Sequence, residues 1–378
     1  MTAASQVIVN DTHDPTAVEP LEGAAVRDFH RGLPGYEPTP LLDLPMIAER
    51  LGAARVSVKD ESSRLGLPAF KILGASWAVA REVDRRLGGA GLRTVDELRE
   101  AVAAQTVSLS RLTTLVAATD GNHGRAVARM AALLGLSAII LVPRDMVPAR
   151  IDAIASEGAE VIVHDGDYDE TVRRAATMDS DTHAVIADTA WPGYDEVPRW
   201  VVEGYATIAN EVLEQLSAQN IPAPTVVVVQ VGVGSFAASM VRSFAPTGAR
   251  MIASEPVSAD CLAPSIAAGT PTHSSGTIDS IMAGLNCGEI SPIAWPTLQA
   301  GVQSAVTVTD DGARDAMRLF ARAGVESGES GAAGLAALLA QPGLVRSDDH
   351  VLLISTEGIT DPVAYAEIVG AIRAEVSA

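Results

Sequence analysis

Cysteine, aromatic residues and long hydrophobic runs are all scarce in this chain of 378 residues. The two cysteines, Cys261 and Cys287, show no CxxC spacing, so no metal site is predicted and two free thiols are expected. Aromatic residues make up 4% of the chain, so its core must consist of Ala, Val, Leu and Ile. The longest apolar runs, such as 138–143 and 226–229, have the length of strands and are too short to span a bilayer.

Positive charge is scarce as well. The formal net charge is -20, and lysine occurs only at positions 59 and 71. Such an acidic surface repels phosphate backbones and anionic lipids, so neither nucleic acid nor membrane is expected as a partner. The polar residues 1–22 show no signal peptide, and a cytoplasmic location is expected. These properties favour a soluble enzyme that binds any anionic ligand at a local, shaped site.

Apolar strands alternate with amphipathic helices along most of the chain, a pattern typical of an α/β fold with parallel sheets. Strands are predicted at residues 54–61, 113–119, 137–143, 160–165, 183–188, 225–231, 250–256 and 350–356. Helices are predicted at residues 46–51, 70–83, 94–104, 124–134, 148–156, 168–177, 201–217 and 235–243. Residues 1–25 are interpreted as a mobile or draping arm, and residues 37–45 as a loop. The pattern favours two lobes that share one cleft.

Lys71 begins a predicted helix, directly after Phe70 and a polar, glycine-containing loop. A lysine that forms a Schiff base must spend time uncharged, which burial and cationic neighbours favour. Most lysines are solvated surface residues, so the sequence leaves both interpretations open at this point.

Three further polar loops follow predicted strands, at the edge where ligands bind in parallel sheets. Their candidate site residues are Asp120 and Asn122 in "TDGNHG" (119–124), Asp188 in "ADTAWPGY" (187–194), and Ser355 and Thr356 in "STEG" (355–358). An ordinary turn explains each loop equally well when it is taken alone. Trp191 either lines a pocket or fills a core.

A fourth loop, "VGVGSF" (231–236), lies between a strand and a helix. Backbone N–H groups at such a helix N-terminus can cradle a phosphate. Gly232, Gly234 and Ala237 also match GxGxxA, with Glu255 at the end of the next strand, which is the fingerprint of a dinucleotide site. Both kinds of phosphate ligand therefore remain open.

Taken together, these segments resemble the fold type II enzymes that depend on pyridoxal phosphate (PLP), the group of threonine dehydratase and tryptophan synthase β. The likeness is greatest to the diaminopropionate ammonia-lyase family. It extends from "GYEPTPL" (35–41) to "STEG", and "KDESSRLGLPAFKILG" (59–74), "TDGNHGR" (119–125) and "DTAWPGY" (188–194) are its most specific stretches. The resemblance implies a homodimer whose subunit has a large PLP-binding domain, residues 1–74 and 193–378, and a small domain, residues 75–192.

The resemblance also implies a role for each candidate residue. Lys71 is expected to hold PLP, Asn122 to contact its phenolic oxygen, Gly232, Val233, Gly234 and Ser235 to bind its phosphate, and Ser355 or Thr356 to bind its pyridine nitrogen. Val233, Ser235 and Phe236 make this phosphate loop less glycine-rich than the family's. Cys261 and Cys287 fall where the family has a cysteine pair that can form a disulfide.

The implied reaction is β-elimination from 2,3-diaminopropionate, which gives pyruvate and two molecules of ammonia. Lys71 is expected to remove the Cα proton of the L isomer and Asp120 that of the D isomer. Asp188 is expected to bind the β-ammonium group.

Three alternatives remain. A serine or threonine dehydratase has the same fold and cofactor, but a neutral hydroxyl substrate needs no pair of carboxylates. A nicotinamide-dependent dehydrogenase would use the GxGxxA loop, yet only about one clear strand-helix unit is predicted after it. The third alternative is a PLP-binding protein without catalytic activity, which would not need the polar loops that converge beside a lysine.

Overall fold

The structure is a computed structural model that describes residues 4–105, 111–119, 121–166 and 168–375, with side chains described up to residue 370. Asp120 lies outside the described residues. The strands are β1 (Val7–Val9), β2 (Leu41–Asp43), β3 (Arg55–Asp60), β4 (Thr114–Ala118), β5 (Ser137–Pro143), β6 (Glu160–His164), β7 (His183–Val185), β8 (Val226–Gln230), β9 (Arg250–Pro256), β10 (Val302–Val308) and β11 (His350–Ser355).

The α-helices lie between these strands and at the C-terminal end. They are α1 (Ala24–Arg31), α2 (Pro45–Leu51), α3 (Lys71–Arg86), α4 (Val95–Ala104), α5 (Asn122–Leu134), α6 (Pro148–Ala155), α7 (Tyr168–Ala176), α8 (Glu196–Gly204), α9 (Ala206–Ala218), α10 (Ser235–Phe244), α11 (Leu262–Ala268), α12 (Trp295–Gly301), α13 (Asp310–Arg322), α14 (Glu329–Ala340) and α15 (Pro362–Glu375). Helix α4 has the predicted capping box, in which Thr94 and Glu97 each accept a backbone N–H of the other. None of the described helices has both the length and the apolar character needed to cross a membrane.

Two separate sheets organise these elements. A seven-stranded sheet has the order β1-β10-β9-β8-β11-β3-β2, and a four-stranded sheet has the order β6-β5-β4-β7. All neighbours in the small sheet are parallel, as are the five inner strands of the large sheet. Only the edge strands β1 and β2 run antiparallel to their neighbours. The chain therefore has the α/β architecture with two largely parallel sheets that the sequence predicts.

The inner strands are buried on both faces, which explains their uninterrupted apolar sequences. In β8, Val227 and Val229 pack into one core while Val226 and Val228 pack into a second core on the opposite face. The first core continues into the small sheet, where it includes Leu115 of β4. Helix α3 contacts both α5 beside the small sheet and α8 beside the large one. The two sheets thus share apolar contacts, and a cleft lies between them.

Several predicted boundaries are wrong, and each error has a physical reason. Residues 7–9, predicted as part of an arm, form β1, and residues 41–43, predicted as a loop, form β2. A three-residue strand is too short to show alternation, and its pairing depends on a distant neighbour. Residues 257–349, for which no strand or helix is predicted, contain α11, α12, β10, α13 and α14.

The single helix predicted at 201–217 is divided into α8 and α9 at Gly204 and Tyr205. A Cβ on Gly204 would lie 2.5 Å from the carbonyl oxygen of Leu73, so α8 and α3 approach more closely than any other residue type allows. Hydrophobic periodicity runs on through this bend, which is why it does not show in the sequence.

Candidate active site

One cavity lies between the two sheets, beside the carboxyl ends of their parallel strands. The predicted site residues on its wall are Lys71, Asn122, Asp188, Gly232, Val233, Gly234, Ser235 and Thr356. Phe70, Tyr168, Gln230, Phe236, Gly284, Leu285, Cys287, Ser330 and Glu357 line it as well. Loops that are far apart in the sequence thus meet at one place, as expected for ligand sites in parallel sheets.

Lys71 is the first residue of α3 and reaches into this cavity. Its Nζ donates a hydrogen bond to Oδ2 of Asp188 at 2.7 Å and lies 5.8 Å from the centre of the Phe70 ring. The side chain is 17% exposed, so it is open to a small ligand yet shielded from bulk water. This position argues against the alternative of a solvated surface lysine.

Lys59, the other lysine, has a different environment. Its Nζ lies 2.6 Å from Oε2 of Glu211, 2.7 Å from the carbonyl oxygen of Thr39 and 3.0 Å from Oε1 of Gln215. The side chain is fully buried in an ionic cluster with Glu211 and Arg64, away from the cavity. The cluster fixes the start of the loop that leads to α3, and it leaves Lys71 as the lysine available to a ligand.

Asp188 is a buried carboxylate three residues beyond the end of β7. Burial by itself raises its pKa, but the Lys71 ammonium, the nearby His123 and the hydrogen bond from Lys71 together hold the pKa well below its usual range. The carboxylate therefore stays ionised and pairs with a cation. The backbone oxygen of Asp188 accepts a hydrogen bond from Oγ of Ser235 at 2.7 Å, which ties this loop to the large sheet.

The loop 232–235 connects β8 to α10 and has the features of an anion site. Gly234 has a φ of 94° at the N-cap, in the left-handed region, and Ser235 begins the ten-residue helix. Among the hydrogen bonds of the described residues, none satisfies the backbone N–H groups of residues 232–235 within the protein. Unsatisfied N–H groups at a helix N-terminus favour binding of a phosphate.

Thr356 and Ser355, predicted as alternatives, differ in position. Thr356 lies on the cavity wall, whereas the Ser355 side chain is fully buried and its Oγ donates to Oγ of Ser327 at 2.8 Å. Thr356 is therefore the hydroxyl that a ligand in the cavity can reach. The sequence could not separate the two hydroxyls. Adjacent side chains at a strand end point to opposite faces, and the sequence does not show which face meets the cavity.

Gln230 and Glu357 are among the cavity residues that the sequence analysis did not predict. Gln230, the last residue of β8, donates from Nε2 to the carbonyls of Gly331 and Ile354, while its buried Oε1 has no partner among the described residues. Glu357 follows Thr356, is 3% exposed, and accepts a hydrogen bond from Nδ2 of Asn122 at 2.7 Å. Polar residues that end or follow an apolar strand were the signal that could have identified both.

Trp191 and the cysteines also have defined positions. Trp191 stacks on Tyr194 with ring centres 4.1 Å apart and lines a neighbouring pocket rather than this cavity. Cys261 and Cys287 are free thiols in this structure. Cys261 donates to the carbonyl of Gly232, and Cys287 lies 3.2 Å from where a Cβ on Gly232 would be. Both thiols thus lie beside the loop 232–235.

Glu255 does not occupy the position that a dinucleotide site requires. Its carboxylate accepts the backbone N–H groups of Cys261, Leu262 and Ala263, and so caps α11. Burial raises its pKa to about 7 despite these three donors. A buried capping carboxylate cannot bind a ribose, which argues against the dehydrogenase alternative. The prediction that only about one strand-helix unit follows this loop is wrong, since β9, β10 and β11 all follow with helices between them.

Comparison with known proteins assigns a class to this site. The family model described as "Pyridoxal-phosphate dependent enzyme" matches residues 33–357. The diaminopropionate ammonia-lyase of Salmonella typhimurium is 39% identical over 92% of this chain and 91% of that protein. The chain therefore belongs to the pyridoxal-phosphate dependent enzyme family and, within it, to the diaminopropionate ammonia-lyase group.

Solved structures agree with this assignment. The crystal structure of diaminopropionate ammonia-lyase from Escherichia coli in complex with D-serine superposes with a TM-score of 0.87 at 34% identity and covers 98% of this chain and 97% of that chain. The same enzyme in complex with an aminoacrylate-PLP azomethine reaction intermediate superposes with a TM-score of 0.86 at 35% identity, over 98% of each chain. The fold type II architecture predicted from the sequence is thereby confirmed.

Proposed function

We propose that this protein eliminates ammonia from 2,3-diaminopropionate in a PLP-dependent reaction that releases pyruvate and ammonia. The observation that carries the proposal is the partly buried ion pair of Lys71 and Asp188 in a cavity that also contains unsatisfied backbone N–H groups. The lysine, the ionised carboxylate and the anion site are the three groups that this chemistry requires.

The residues on the cavity wall fit PLP. The N–H groups of 232–235 at the start of α10 suit its phosphate, and Lys71 is positioned to hold it covalently. Thr356 offers a neutral hydroxyl for the pyridine nitrogen, and Asn122 offers an amide for the phenolic oxygen. When bound, the cofactor supplies an electron sink for the negative charge that develops at Cα.

Lys71 and Asp188 have different roles toward the substrate. Lys71 lines the cavity and removes the Cα proton from the L isomer, an assignment carried over from the family resemblance. Asp188 accepts a hydrogen bond from one ammonium group, that of Lys71, at 2.7 Å, and the same ionised carboxylate can bind the β-ammonium of the substrate. Holding that group as a cation keeps it protonated, so it leaves as neutral ammonia.

Asp120 is proposed to remove the Cα proton of the D isomer. In L and D substrates held by the same groups, this proton points to opposite faces, and Lys71 serves only one of them. Asp120 follows Thr119, whose Oγ1 accepts the N–H groups of Gly121 and Gly124. The assignment of Asp120 rests on the family resemblance.

The domain division, the oligomeric state and the cellular location are proposed as well. The two separate sheets support a large domain of residues 1–74 and 193–378 and a small domain of residues 75–192. A homodimer and a cytoplasmic location are carried over from the family resemblance, and the acidic net charge of -20 suits the latter.

A spectrum and a substrate comparison test the proposal. The purified protein is expected to show the yellow absorbance of covalently held PLP, which changes on addition of DL-diaminopropionate. Pyruvate release from diaminopropionate should exceed release from serine, because Asp188 pairs with a cation and a hydroxyl carries no charge. Faster turnover of serine would instead make the protein a dehydratase, and tight NADH binding without bound PLP would refute the proposal.

A further inference from the structure

Glu357 joins the two sides of the cavity. It follows β11 of the large sheet, and its Oε2 accepts a hydrogen bond at 2.7 Å from Nδ2 of Asn122, the first residue of α5. Its Oε1 accepts the backbone N–H of Ser330 at 3.1 Å. Both carboxylate oxygens are thus used by N–H donors, and the side chain is 3% exposed.

The backbone holds Glu357 firmly in this position. Its carbonyl accepts the N–H of Gly328 at 2.9 Å, and the next residue, Gly358, donates to the carbonyl of Pro68 at 2.9 Å. A Cβ on Gly331 would lie 2.8 Å from the carbonyl oxygen of Glu357, so this segment packs against α14 without spare room. The carboxylate is therefore a fixed acceptor, and it cannot follow a movement of Asn122.

We propose that Glu357 is a positioning residue that fixes the amide of Asn122 with its nitrogen toward the carboxylate. Both oxygens of Glu357 already accept from N–H donors, so the side chain has no hydrogen to offer and the amide of Asn122 must face it with its nitrogen. The amide nitrogen has two N–H groups, of which Glu357 accepts one. The second N–H is then available to an oxygen of the cofactor. This inference rests on the proposed function, because it takes PLP as the ligand of the cavity.

Glutamate is the residue type that this position requires. Glutamine has one oxygen for two donors, the N–H of Ser330 and the amide of Asn122. It must turn its own NH2 group toward one of them, and Asn122 can then rotate by 180° to offer its oxygen. Aspartate is shorter by one methylene and cannot reach both donors from the same backbone position.

A pair of exchanged residues tests the proposal. Glu357→Gln is expected to weaken PLP binding about tenfold, which corresponds to about 1.4 kcal/mol. The reversed pair, Asn122→Asp with Glu357→Gln, restores the hydrogen bond, because the introduced glutamine side chain can donate to the new carboxylate while its oxygen accepts from Ser330. The reversed pair leaves no N–H for the cofactor, so PLP affinity stays low although the hydrogen bond is present.

Two readouts separate positioning from a structural role. Thermal unfolding without PLP should show that Asn122→Asp alone is destabilised by two facing carboxylates and that the reversed pair recovers stability. PLP titration followed by absorbance should show no such recovery. Glu82→Gln is the matched control, since it removes a buried carboxylate that is not on the cavity wall, and it should leave PLP affinity unchanged.

Several results would overturn the positioning role of Glu357. Recovery of both stability and PLP affinity in the reversed pair would overturn the proposal, as would wild-type PLP affinity in Glu357→Gln. Additive losses of stability in the two single variants and the pair would show that the residues do not interact, and would overturn it too. Wild-type protein that does not bind PLP would refute the proposed function instead, while the unfolding data without PLP would still test the contact between Glu357 and Asn122.

Discussion

Replacement of Asp188 by asparagine should distinguish a role toward the substrate from a role toward Lys71. The substitution keeps the size of the side chain and removes the charge that faces Lys71 at 2.7 Å. A hydrogen bond between charged groups contributes about 1.5–3 kcal/mol net. Loss of this bond between Asp188 and the β-ammonium group of the substrate therefore predicts a fall of about 10- to 150-fold in kcat/KM for diaminopropionate. Serine offers a neutral hydroxyl, for which the loss should stay below about tenfold.

The assay is pyruvate release from L- and D-diaminopropionate and from serine, with wild type and variant side by side. The loss that all substrates share reports on Lys71, and the excess loss on diaminopropionate reports on its β-ammonium group. Asp195→Asn is a suitable control, because Asp195 is an exposed aspartate near the same loop. Equal losses on diaminopropionate and serine would refute the proposed contact between Asp188 and the leaving amine.

Three further outcomes are expected. Gly234→Ala should lower both PLP affinity and melting temperature, because a Cβ there lies 2.8 Å from Cδ1 of Leu298. Gly248→Ala is the control: its φ is 73° and no atom of the described residues lies within 4 Å of the added Cβ, so it should show the backbone strain alone. Equal effects of the two substitutions on PLP affinity would exclude a special role for the loop 232–235. Asp120→Asn should reduce turnover of D-diaminopropionate by roughly 10²–10⁴, and that of the L isomer much less, and equal losses would remove Asp120 as a second base. The raised pKa of Glu255, about 7, means that the folded state holds a proton that the unfolded state releases near pH 4.5, so this residue's contribution to stability is lost as pH rises from about 4.5 to 7. Urea unfolding of Glu255→Gln against wild type should show a flatter pH dependence in that window, and parallel curves would contradict the assignment.

The strands that build the cleft could be predicted because they are buried on both faces. In β8 and β11 every residue is buried, and such strands give apolar runs that are visible without any knowledge of their neighbours. The edge strands β1 and β2 have only partly buried and exposed residues, so their existence depends on pairing with β10 and β3. Pairing between distant segments leaves no local signal in the sequence.

The candidate site was predictable for a related reason. Lys71, Asn122, Asp188 and Thr356 follow or adjoin strand ends that parallel sheets bring to one edge. Glu357 was missed although it stands next to Thr356, because its importance comes from the amide of Asn122, which lies 235 positions away in sequence. Lys59 and Lys71 could not be separated by composition; their partners, Glu211 and Asp188, separate them.

The proposed function requires that Lys71 holds PLP in a cavity suited to elimination from diaminopropionate. Borohydride reduction of the purified protein, followed by proteolysis and mass spectrometry, tests it most directly. We expect a single reduced PLP adduct on Lys71. In Lys71→Ala we expect no such adduct and no pyruvate release, with the fold retained by circular dichroism. An adduct on Lys59, or a reducible adduct and pyruvate release that persist in Lys71→Ala, would contradict it.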